Sequence, residues 1–157
     1  MESNTNTDIK AAQLEEAYRK YPIDDHGKLR FAYGKVTAAE ALAANGTMAL
    51  VSLPVGRKRI LPHLSRITTS AFGAGRTLDV GHQAYNTALS PVAVEDDDPD
   101  ALIDGLDVAT AVTANVFGTD LKFDMYSKTD VIVYGTVLGG TMPANATVEV
   151  LIAYLYE

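Results

Sequence analysis

Val131-Ile-Val-Tyr-Gly-Thr-Val-Leu-Gly-Gly-Thr-Met-Pro143-Ala-Asn-Ala-Thr-Val-Glu-Val-Leu-Ile-Ala-Tyr154 decides the fold class. Two β-branched, apolar tracts flank a connection rich in Gly, Pro and Asn, and that combination reads as two strands joined by a turn. Taken locally, the stretch is a hairpin. Its second tract runs on to Tyr156. There Val148, Val150, Ile152, Tyr154 and Tyr156 alternate with Glu149, Leu151, Ala153 and Leu155. Only the start of the second face is polar, so this strand is expected to be central and covered on both sides.

The same punctuation recurs upstream. Met48-Ala-Leu-Val-Ser-Leu-Pro54-Val-Gly56 is a strand ending in a Pro/Gly turn. Ile60 to Ala71 is a strand interrupted by Pro62, which implies an edge or a bulge. Phe72-Gly-Ala-Gly75 is a turn, and Arg76 to Val80 a short strand stopped by Gly81. Ala109–Phe117, Leu121–Tyr126, Asp130–Leu138 and Thr147–Tyr156 are further strands, while Gln83 to Val94 is ambiguous. Pro99 to Gly105 reads as one helical turn, with Asp98 as cap and proline at the first position. No internal repeat stands out. About eight short strands at this spacing predict an all-β, jelly-roll-like β-sandwich.

Two segments stand apart. Asp8 to Lys20 is the best helix of the chain, capped by Asp8 and ended by Tyr21-Pro22. It sits in an N-terminal arm, residues 1–34, ahead of a sandwich domain at 35–157. The arm can pack on its own domain or on a neighbour. Lys35 to Ala44 is a conflict. Thr37-Ala-Ala-Glu40 is a capping-box pattern and Asn45-Gly46 a good helix stop. Yet Asn-Gly between apolar segments is also a hairpin signal. The strand reading is preferred, because tertiary context often overrides helix propensity.

Composition narrows the function. The 157 residues form one domain with an appendage, and 47% of them are hydrophobic, enough for a core. With no cysteine, a disulfide framework, a thiolate metal site and a cysteine nucleophile are all excluded. No apolar run approaches a membrane span. The polar start Met1-Glu-Ser-Asn-Thr-Asn-Thr lacks a signal-peptide core, which suggests use in the cytosol or release by lysis. Asn45-Gly-Thr47 and Asn145-Ala-Thr147 match the glycosylation sequon but read as turns. The net charge of −7 disfavours nucleic acid as a partner. Five bases and no acid lie between Arg57 and Arg76 (Arg57, Lys58, Arg59, Arg66, Arg76), and seven acids with no base lie between Glu95 and Asp107. These are either two solvated faces or a dipolar subunit whose basic strip meets a neighbour's acidic strip.

No catalytic constellation emerges. His26, His63 and His82 have no metal-ligand spacing. Ser65, His82 and Asp79 make a triad only on paper, because nothing marks a nucleophile elbow. Gly73-Ala-Gly75 lacks the third glycine of a dinucleotide fingerprint and precedes a strand rather than a helix. Glu95-Asp-Asp-Asp98-Pro-Asp100 is the one run that could attract a hard cation such as Ca²⁺, but it lacks an EF-hand's glycine and terminal glutamate. A solvated acidic loop is the simpler reading. No catalytic, cofactor-binding or metal residue is therefore assigned. Eight tyrosines could line a glycan groove if they shared a face.

A family resemblance rests on the order Phe31-Ala-Tyr-Gly-Lys-Val-Thr, Ala43-Ala-Asn-Gly-Thr, Leu53-Pro-Val-Gly-Arg-Lys-Arg-Ile60, Thr77-Leu-Asp-Val-Gly81, Asp100-Ala-Leu-Ile-Asp-Gly-Leu-Asp107 and Gly139-Gly-Thr-Met-Pro-Ala-Asn-Ala-Thr147. Over residues 31–156 the chain resembles small virion structural proteins of tailed bacteriophages, the capsid decoration or cement proteins. The resemblance implies a jelly-roll sandwich and a strand at Val36–Leu42. It implies no catalytic residues. The expected partners are the major capsid protein and further copies of the chain (a homo-oligomer, a trimer among the arrangements open), with no nucleic acid and no membrane. The expected place is the capsid surface, after synthesis in the host cytoplasm. Residues 1–30 are the expected intersubunit contact. A carbohydrate-binding β-sandwich module and a tail or neck component are the alternatives.

Overall fold

The computed structural model of the chain describes residues 28–115 and 124–156. The helix expected at Asp8–Lys20 lies outside the described residues. Twelve strands are described: β1 (Lys28–Thr37), β2 (Thr47–Leu53), β3 (Gly56–Ile60), β4 (Arg66–Thr69), β5 (Thr77–His82), β6 (Tyr85–Leu89), β7 (Val92–Glu95), β8 (Asp98–Asp107), β9 (Val112–Asn115), β10 (Asp124–Ser127), β11 (Val131–Leu138) and β12 (Thr147–Tyr156). Residues 28–34, assigned by sequence to the arm, form most of β1.

Pairing runs from the outside of the chain to its middle. Lys28 pairs with Tyr156, Thr47 with Thr136, Arg59 with Asp124, Arg66 with Asn115, Thr77 with Asp107, and Leu89 with Val92. The described chain is thus one long antiparallel hairpin, wound on itself until its two arms form two sheets. In the first sheet β12 is central. It pairs along β1 on one side and with β4 and then β3 on the other, and these pair with β9 and β10. The second sheet has the order β2-β11-β5-β8. Pro62 splits one strand into β3 and β4 around a 3-10 turn at Pro62–Leu64, and both halves keep β12 as partner. With β3/β4 and β9/β10 each taken as one broken strand, each sheet has four strands. This is an eight-stranded jelly roll, as the sequence led one to expect.

The winding overturns three local readings. The tract Val131–Tyr154 is not a hairpin, because β11 belongs to the second sheet and β12 to the first. Lys35 to Ala44 is neither helix nor hairpin strand beyond Thr37. It is a crossing loop, tied to the other crossing loop at Ala38, which bonds with Ala146 and Asn145, and at Leu42, which pairs with Met142 through reciprocal backbone bonds of 3.0 and 2.8 Å. Both loops then turn through an asparagine in the left-handed region, Asn45 and Asn145, at φ 62° and 63°. Those turns explain the two sequon-like triplets, and they make the loops structural counterparts of one another, a likeness the sequence does not announce. Finally, Asp98–Gly105 is strand, not helical turn. Pairing with β5 on the edge of the second sheet outweighs the local capping pattern. Pro99 fits there because an edge strand has amides that need no partner.

The core lies between the sheets. Leu53, Ile60, Ile67, Leu78, Val80 and Ile152 are almost completely buried in it. The sheets come together at one corner, where Gly34 of β1 meets β2. A Cβ there would collide with the Leu50 carbonyl. Backbone cannot yield as a flexible side chain can, so Gly34→Ala is expected to destabilise the fold by about 2 kcal/mol through overpacking. Denaturant titration would read this as a lowered midpoint at unchanged slope. An unchanged midpoint would show that the corner is slack.

Candidate interaction surfaces

The residues with catalytic potential do not converge. His26 lies outside the described residues, His63 is exposed in the 3-10 turn, and His82 is fully buried on β5. The His82 ring packs edge-on against Tyr85 at 5.2 Å, and its Nδ1 lies 3.2 Å from the Gln83 carbonyl. Ser65 is buried in the first sheet. It donates to the Leu61 carbonyl at 2.9 Å and accepts from the Ala153 amide at 2.9 Å. His82 and Asp79 stand on β5 of the second sheet, and the Asp79 carboxylate accepts the Gly105 amide at 2.7 Å. The paper triad is therefore dispersed. Gly73 and Gly75 form the expected turn, both with positive φ.

The acidic run does not fold into an ion cage either. Asp97 accepts the Tyr134 hydroxyl at 2.8 Å. Burial and this bond push the tyrosine hydroxyl well above its usual range. Asp98 opens β8, and burial, then Asp100, hold its carboxyl above the usual carboxylate value. Among the described residues no three His, Asp or Glu side chains come together in a way that could hold a metal ion. Asp96, Asp97, Asp100, Asp104 and Asp107 are exposed. They form an acidic border along β8, the outer edge of the second sheet.

The basic strip is broken by the pleat. In β3 the side chains alternate, so Arg57 and Arg59 face outward while Lys58 faces the core. Lys58 is fully buried. Its ammonium donates to Ser127 Oγ at 2.7 Å and to the Gly56 carbonyl at 3.2 Å. Desolvation lowers its pKa to about 8. Arg76 is half-buried and lies against Gly140. What remains of the strip is Arg57, Arg59 and Arg66 on the outward face of the first sheet. Arg59 makes a two-pronged pair with Asp124, at 2.8 and 3.1 Å, which holds that carboxyl below its usual value.

That outward face also carries an apolar ladder absent from the sequence-derived candidates. Register pairs Leu29 with Leu155, Phe31 with Ala153 and Tyr33 with Leu151. Paired residues of antiparallel strands share a face, so the three rungs stand together. Lys35 and Glu149 close the ladder with a 2.7 Å ion pair. Alternation at 29, 31 and 33 was a visible signal, but it was assigned to the arm. Among the described residues the tyrosines do not line one groove. Tyr85, Tyr134 and Tyr154 are buried, and exposed Tyr33 and Tyr126 stand on opposite edges of the first sheet.

No protein-family model and no curated protein matches the chain. Solved structures do. A chain in the cyanophage Pam1 capsid asymmetric unit matches over 99% of this chain and 100% of its own length, with a TM-score of 0.55 at 17% identity. A chain in the capsid of Ralstonia phage GP4 matches over 88% of this chain and 92% of its own, with a TM-score of 0.62 at 19% identity. At these identities the likeness establishes the fold. The chain shares its jelly-roll sandwich with chains of closely similar length in two phage capsids.

Proposed function

We propose that this chain is a structural virion protein that binds the exterior of a phage capsid and stabilises the shell as a decoration or cement protein. The observation that carries the reading is end-to-end likeness, over nearly the full length of both partners, to chains found in two phage capsids. The surfaces agree with it. They offer charged and apolar contact areas rather than a reaction centre. Its partners on this reading are the major capsid protein and other copies of the chain. Many weak contacts repeated on a lattice hold strongly through effective concentration. The segment before β1 is the expected arm that reaches a neighbour.

The test is co-sedimentation of the purified chain with capsids assembled without it, at low and high salt. Saturable binding is expected, weakened by salt if the exposed arginines and the acidic border contribute. Deleting residues 1–27 leaves every described strand intact and is expected to weaken attachment. Failure to bind any form of the capsid would overturn the reading.

A further inference from the structure

Two apolar surfaces left open among the described residues stand on the same chain in opposite charge settings. The first is the outward face of β1, where Leu29, Phe31 and Tyr33 are 48–60% exposed. Arg59, across from Leu155, and Arg66, across from Leu151, are exposed on the same face. The second is the β6–β7 finger, the tip of the wound hairpin, which belongs to neither sheet. Only its base is tied down, by the Lys128 amide to the Asn86 carbonyl at 2.6 Å and the Asn86 amide to Thr129 Oγ1 at 3.1 Å. Beyond that, Leu89 and Val92 are cross-strand partners and Val94 follows two residues on. The three share one face and are 53–64% exposed.

A two-stranded hairpin is marginal in water by itself. One that presents three aliphatic side chains to solvent gains by covering them. No charged residue occurs from Gln83 to Val94, and the finger then runs directly into Asp96, Asp97 and Asp100. Its docking site must therefore be apolar at the centre and basic at the rim. The β1 face has that composition. Leu29 to Tyr33 spans about 13 Å along the strand, room enough for a finger two strands wide.

We propose that the finger of one copy docks on the β1 face of a second copy. The two surfaces differ, so the contact is head-to-tail and propagates into a ring or an open chain. This inference does not depend on attachment to a shell, because it concerns only copies of this chain.

Sedimentation equilibrium of the full chain tests it, with two variants at exposed positions, Phe31→Asp and Val92→Asp. The parent chain is expected to associate, more weakly at high salt. Each variant alone is expected to lose association at least tenfold. Mixed in equal amounts they are expected to form a heterodimer and nothing larger, because one supplies an intact face and the other an intact finger. A monomeric parent, a Val92→Asp variant that associates like the parent, or a mixture that stays monomeric would each overturn the proposal. Circular dichroism checks the fold of each variant, and Tyr33→Ser and Leu89→Ser stand in if either aspartate variant fails to fold.

Discussion

Raising the pH from about 8 to about 10 is expected to stabilise the sandwich by about 2 kcal/mol, where most proteins only lose stability. The cause is Lys58. Its side chain points into the core from β3, and burial brings its pKa down from an ordinary 10.5 to about 8. Between these values the unfolded chain binds a proton at this lysine and the folded chain does not. Stability therefore rises with pH across the window, by about 1.4 kcal/mol per unit. Below pH 8 both states are protonated, and the full cost of burying the charge is present. The window closes near pH 10. There the buried hydroxyls of Tyr85 and Tyr154, whose pKa values burial raises, begin to favour the unfolded state, which ionises first. Urea titrations at pH 7, 8, 9 and 10 would show the rise. In Lys58→Met the slope is expected to vanish, since an apolar side chain of similar volume often replaces a buried charge without loss. An equal slope in both proteins would place the proton elsewhere.

Ile152→Ala is expected to cost about 4 kcal/mol. Ile152 is completely buried on β12, paired with Ala32 of β1 and flanked by Val150 and Tyr154, which are paired on both edges. Its inward neighbours are held by backbone ladders on both edges, so the cavity cannot collapse. For a domain of this size, thermal unfolding is expected about 8–16 °C lower. The control is Leu29→Ala on the outward face of the same sheet, expected to cost less than about 1 kcal/mol because the side chain is about half exposed among the described residues. Comparable losses for the two would mean that the β1 face is buried by association, and would support the docking proposal from a different direction.

Much of the strand content could be read from single residues. Thr147–Tyr156 was expected with the bounds it has, and its central place followed from the loss of polar residues on its second face. The breaks at Pro54 and Pro62 fell where backbone chemistry demands them, whereas β5 runs through Gly81, read in sequence as its stop, to His82. The segregation of bases from acids along the chain was likewise visible in advance.

Partners were not legible. Asn45-Gly46 suggested a local hairpin, and Val131–Tyr154 another, because turn chemistry reports only that the chain bends. It says nothing of which strand lies across the gap. Both bends instead carry the chain from one sheet to the other, and the pairing that results joins the two ends of the described chain. Lys58 shows the same limit at the scale of one side chain. Its neighbours Arg57 and Arg59 made a basic strip in sequence, but the pleat turns alternate residues to opposite faces, and only the packing of the second sheet makes one of those faces the core. By itself the sequence determined local conformation, through proline, glycine, asparagine and β-branched residues that restrict the backbone wherever they stand. Only the tertiary structure decided which faces are covered and which stay open, because that depends on contacts between residues far apart in the chain.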